Sequence, residues 1–116
     1  MPRALPANAL VLMLMSAPAL ADPPVVEAAV LNGQTLSVTL SHPDTGWDHY
    51  ADGWEVLTPD GTSLGIRELA HPHVNEQPFT RSLSGVQVPE GIEALHIRAR
   101  CNDTGWSEEV FVLPLN

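Results

Sequence analysis

The sequence predicts an all-β domain: an antiparallel sandwich of about seven short strands, preceded by a cleaved signal peptide. Two observations lead to this. Apolar and polar residues alternate with a period of two in several segments, and short Gly, Pro and Asn turn signals separate those segments. No stretch beyond the leader carries a 3.6-residue apolar stripe, so helices are not expected.

The leader comes first. Arg3 is followed by the apolar run from Ala9 to Met15 and then by Ala19-Leu20-Ala21, the order of a charged region, a hydrophobic region and an A-x-A cleavage site. Cleavage is expected before Asp22, giving residues 1–21 as signal peptide and 22–116 as one domain. The apolar run is far shorter than the roughly 20 residues that span a bilayer, and Pro18 interrupts it. No Cys follows the cleavage site and no Arg-Arg pair precedes the run, so no stable membrane anchor is expected. The expected location is periplasmic or secreted.

Seven strands can then be placed in order. Val25 to Leu31 and Gln34 to Ser41 flank the hairpin signal Asn32-Gly33, and the second alternates Leu36, Val38 and Leu40 against Thr and Ser. Trp54 to Thr58 and Ser63 to Leu69 flank Pro59-Asp60-Gly61, a turn in which Pro presets φ and Gly takes the left-handed position. Phe79 to Val86 is a fifth strand. Pro89-Glu90-Gly91 turns the chain into Ala94 to Cys101, where Leu95, Ile97, Ala99 and Cys101 share one face. A last strand is expected from Trp106 to Leu113.

Trp54 opening a third strand, together with the hairpin from Ala94 to Leu113, resembles immunoglobulin-like and fibronectin type III domains over essentially the whole mature chain. The intersheet cysteine pair of antibody domains is absent, so the resemblance is one of architecture. The runs GWDHYADGWEVLTPDG (46–61) and HPHVNEQPFTRSLSGV (71–86) also look like a group of small exported bacterial proteins of no assigned function. That resemblance implies no chemistry.

Composition narrows the partners. With Arg3 removed, four arginines face fourteen acidic residues, and the chain contains no Lys. Nucleic acid and anionic membrane surfaces are thereby disfavoured, while cations and neutral ligands are not. Cys101 is the sole cysteine, so no internal disulfide can form.

The tetrapeptide Asp-Thr-Gly-Trp occurs twice, at 44–47 and 103–106. Strand parity puts both copies at one end of the sandwich, with His42, Asp48, His49 and Tyr50 from one loop, His71, His73 and Glu76 from a second, and Asp103 and Trp106 from a third. The opposite end carries only economical turns. Function on a rigid sandwich is expected in such long loops. Asp-Thr-Gly is also ordinary turn chemistry, and loop histidines are commonly just solvated.

Two functional readings stay open. Imidazole with carboxylate neighbours in an exported protein is a ligand set for zinc or copper(II), here His71 and His73 completed by His42 or His49. Cys101 is expected to point into the core as a small hydrophobe. In the second reading Trp47, Tyr50 and Trp106, with Asp44 and Asp103, form a metal-free surface for a sugar, peptide or protein partner. An enzyme is not expected, since no Ser sits in a nucleophile-elbow context and no patterned acid pair is present.

Overall fold

The computed structural model describes residues 23–116; the signal-peptide assignment lies outside the described residues. Every regular element in that range is a strand: β1 (Val25–Asn32), β2 (Thr35–Ser41), β3 (Ala51–Leu57), β4 (Ser63–Glu68), β5 (Phe79–Leu83), β6 (Ala94–Cys101), β7 (Gly105–Trp106) and β8 (Phe111–Pro114). They form two antiparallel sheets. One has the order β1-β2-β5; the other has the order β4-β3-β6, with β7 and β8 both pairing with β6.

The alternation read in the sequence is what closes the sheets on each other. Leu36, Val38 and Leu40 of β2 and Leu95, Ile97 and Ala99 of β6 each present one apolar face, and all are at most 1% exposed. Trp54 and Val56 of β3, Phe79 of β5, and Val86 join them in a single cluster. Removing this apolar surface from water is the main force holding the two layers together.

The third strand starts at Ala51, three residues before the expected Trp54, because the chain already pairs with β6 there, and two larger differences from the sequence reading follow. The segment Trp106 to Leu113 is not one strand but two, giving eight strands in all. Ile97 pairs with Phe111 and Arg100 with Trp106, so two residues of β6 face four of the partner, Ser107 to Val110. The surplus, which includes Glu108 and Glu109, bulges out of the ladder. The fifth strand also ends at Leu83 instead of Val86. Gly85, at φ 76°, turns the chain there, and only the Val86 amide bonds back, to the Gln34 carbonyl at 2.9 Å.

On the outer face of the second sheet a row of ion pairs replaces apolar contacts. Arg98 donates from Nε and Nη2 to Glu55 Oε1 at 2.9 and 2.7 Å. Arg100 donates to Asp52 at 2.7 Å and to Glu68 at 2.8 Å. Burial of Glu55 would by itself raise its pKa, but hydrogen bonds from Ser63 and Arg98 and the charges of Arg98 and Arg100 outweigh it and hold the carboxyl below its ordinary 4.5. Because the folded value is the lower one, this carboxylate stabilises the fold fully above the unfolded value. Its contribution is lost as pH falls through the folded value. The melting temperature should therefore drop more steeply on acidification from about pH 5 to about pH 3 in the wild type than in Glu55→Gln. Equal slopes in thermal melts would remove Glu55 from the account of acid sensitivity.

Candidate metal centre

Three loops meet at one end of the sandwich, as strand parity requires, and hydrogen bonds tie them together. Asn102, after β6, reaches into the β2–β3 loop three times: its amide donates to the Tyr50 carbonyl at 3.0 Å, its Oδ1 accepts from the Tyr50 amide at 2.9 Å, and its Nδ2 donates to the Trp47 carbonyl at 2.9 Å. Asp44 Oδ2 accepts the backbone amide of His73, from the β4–β5 loop, at 2.8 Å.

Within this end, His42, His49 and Cys101 converge, each offering a ligand atom within 4.8 Å of the others. Local structure explains each placement. His42 continues the inward parity of Leu36, Val38 and Leu40 past the end of β2, and is 3% exposed. Cys101 is the last inward residue of β6 and is fully buried. Its hairpin closes on Gly105, at φ 87°, where a side chain would be strained. His49 follows a tight turn in which Thr45 donates to the His49 carbonyl at 2.9 Å and His49 to the Gly46 carbonyl at 3.1 Å.

The spacing suits a metal. Ligands at about 2.3 Å for sulfur and about 2.0 Å for nitrogen, in tetrahedral geometry, lie about 3.5 Å apart. Cys101 Sγ and His49 Nδ1 are 3.6 Å apart. The His42 and His49 rings are 4.7 Å apart at 39°. Sγ also accepts the Asp103 amide at 3.5 Å. His42 Nδ1 is 2.6 Å from Asp44 Oδ1, with both side chains fully buried. The other ring nitrogen, Nε2, is buried and makes no hydrogen bond. A buried polar atom left without a partner costs free energy that a bound ion would recover.

The remaining residues singled out in the sequence fall elsewhere. His71 and His73 lie near each other, with rings 4.6 Å apart, but outside the His42, His49 and Cys101 group. His73 is 4% exposed and stacks on Phe79 at 3.8 Å, and its Nε2 takes a hydrogen bond from Arg81 at 3.0 Å. Burial foremost, then the positive charge of Arg81 and the neighbouring His71, lowers its pKa against the opposite pull of Glu76 and Asp44. His71 is exposed, its Nδ1 3.0 Å from the Pro72 carbonyl.

The aromatic residues divide. Trp47 is 65% exposed at the tip of its loop, edge-on to Tyr50 at 5.6 Å. Trp106 lies on the outer face of the second sheet, with the guanidinium groups of Arg98 and Arg100 at 4.4 and 4.9 Å from its ring. Asp103 lies at the rim, its Oδ2 3.6 Å from His49 Nδ1.

The residue that sequence reasoning set aside is Cys101. Its inward parity was legible, and so was that of His42. Both are the last inward residue at the same end of facing strands, and that coincidence could have joined them.

No family model matches the chain. A protein of Halomicrobium mukohataei named "Putative lipoprotein" is 44% identical over 78 residues, which are 67% of this chain and 38% of that protein. The chain thus spans well under half the length of this relative. Among solved structures, a mutant superoxide reductase (neelaredoxin) from Archaeoglobus fulgidus in the reduced form aligns at a TM-score of 0.45 and 18% identity, over 89% of this chain and 98% of that one. At that level the likeness carries no argument about this protein.

Proposed function

We propose that this protein is an exported, non-enzymatic binding domain that holds zinc or copper(II) through His42, His49 and Cys101. The observation that carries this reading is the buried, unpartnered Nε2 of His42, on a residue that groups with Cys101 and His49 so that each offers a ligand atom within 4.8 Å of the others. Two imidazoles and a thiolate suit copper or zinc better than the hard cations, which prefer oxygen ligands. The acidic surface favours the approach of a cation. His71 and His73 are not part of this ligand set, because Arg81 already occupies the His73 lone pair and its charge repels an incoming cation.

The strand order β1-β2-β5 facing β4-β3-β6, with β7 and β8 beyond, supports an immunoglobulin-like reading of the sandwich. Export is supported by the leader pattern and by the name of the Halomicrobium relative.

Tag-free protein purified from the periplasm should contain close to one zinc or copper per chain by elemental analysis. The metal-stripped protein should rebind it with a dissociation constant tighter than about 10 μM by calorimetry. His42→Ala should abolish that binding. Binding no tighter than this limit, or binding undiminished in the variant, would reject the metal reading. The exposed Trp47, edge-on to Tyr50, would then favour recognition of a sugar, peptide or protein partner.

A further inference from the structure

We propose that Asp44 is the positioning residue of this centre, holding the His42 imidazole as the Nδ1–H tautomer so that the Nε2 lone pair is the one presented to a metal. The inference rests on the metal reading above and deepens it.

Backbone donors surround the Asp44 carboxylate. Its side chain is fully buried, and Oδ1 accepts the Ala51 amide at 3.0 Å while Oδ2 accepts the His73 amide at 2.8 Å. A carboxylate fixed by two N–H donors only accepts, so the hydrogen in the 2.6 Å contact with His42 belongs to Nδ1 of the imidazole. In the neutral imidazole a proton on Nδ1 leaves Nε2 with its lone pair, and Nε2 is the buried nitrogen without a hydrogen bond. A carboxylate on the far ring nitrogen also fixes the plane of a ligating imidazole. Asp44 is itself held from two sides, by the start of β3 and the β4–β5 loop, so the His42 ring inherits a fixed orientation.

The sequence repeat gains a purpose from this. Each copy of Asp-Thr-Gly-Trp begins two residues after a buried ligand: His42-Pro43-Asp44 and Cys101-Asn102-Asp103. In the first copy the Asp side chain grips the ligand ring. In the second the Asp103 backbone amide donates to the ligand sulfur at 3.5 Å. One turn chemistry thus orients both deep ligands through different atoms.

The test is the tautomer of His42 in the metal-free, tag-free protein, read from two-bond proton–nitrogen correlations in 15N-labelled samples, beside zinc titration of the wild type and Asp44→Asn. Expected are Nδ1–H at His42 in the wild type, its loss or mixing in Asp44→Asn, and zinc affinity about 10- to 100-fold weaker in a variant with unchanged circular dichroism. Nε2–H at His42 in the wild type, or equal zinc affinity in Asp44→Asn, overturns the proposal. Should Asp44→Asn fail to fold, the wild-type tautomer alone decides. A wild type that binds neither zinc nor copper(II) rejects the metal reading, while the tautomer result still decides whether Asp44 orients His42.

Discussion

Cys101→Ser should leave a folded protein that has lost most of its affinity for copper(II) and zinc. Serine is close to cysteine in size, and Cys101 sits fully buried at the end of β6, so the strand register survives the exchange. What changes is the ligand, because a hydroxyl stays protonated where a thiolate forms and is a poor partner for a soft ion. Structural zinc sites gain about 10–16 kcal/mol from their full ligand set, so one lost ligand is expected to weaken binding by about two to three orders of magnitude. Copper(II) gives a second readout. Thiolate coordination in a His2Cys set colours the protein, as in blue-copper sites, and the visible band should vanish in Cys101→Ser. An unchanged dissociation constant or a band surviving the substitution would exclude Cys101 from the site. His71→Ala, at an exposed residue outside the group, should leave both readouts as in the wild type.

Trp54→Ala should cost the fold about 3–5 kcal/mol, enough to unfold much of the population at 37 °C where the total lies at the lower end of the ordinary range of about 5–15 kcal/mol. Trp54 is fully buried and heads the large side chains of the core. It lies on β3, bonded to β4 on one side and β6 on the other, with Arg67 and Ala99 as its cross-strand neighbours. Cys101, the lone cysteine, is free, so no covalent staple limits the unfolded chain to soften the loss. Denaturant titration followed by circular dichroism measures it. A midpoint within experimental error of the wild type would mean that the core collapses around the missing ring.

Much of this architecture is legible in the sequence. Period-two alternation in Gln34 to Ser41 and Ala94 to Cys101 depends only on local chain geometry, and so do the turns at Asn32-Gly33 and Pro59-Asp60-Gly61. Counting strand reversals then put three long loops at one end, and the Asn102 and Asp44 hydrogen bonds tie those loops together. The broken last strand was not legible. Trp106 to Leu113 alternates acceptably by itself, and only pairing with β6 reveals two residues too many.

The candidate site divides along the same line. By itself the sequence determined the sandwich, its polar end and the histidines gathered there, because each follows from neighbouring residues along one strand or turn. Only the tertiary structure decided which of those histidines meet. His73 turned to stack on Phe79 and take the hydrogen bond of Arg81, whereas His42 and Cys101, fifty-nine positions apart, came together with His49. The physical reason is that a ligand set is a matter of distances across the sandwich. Those distances are fixed by how two sheets settle on a shared core, and no pattern within a single strand encodes them.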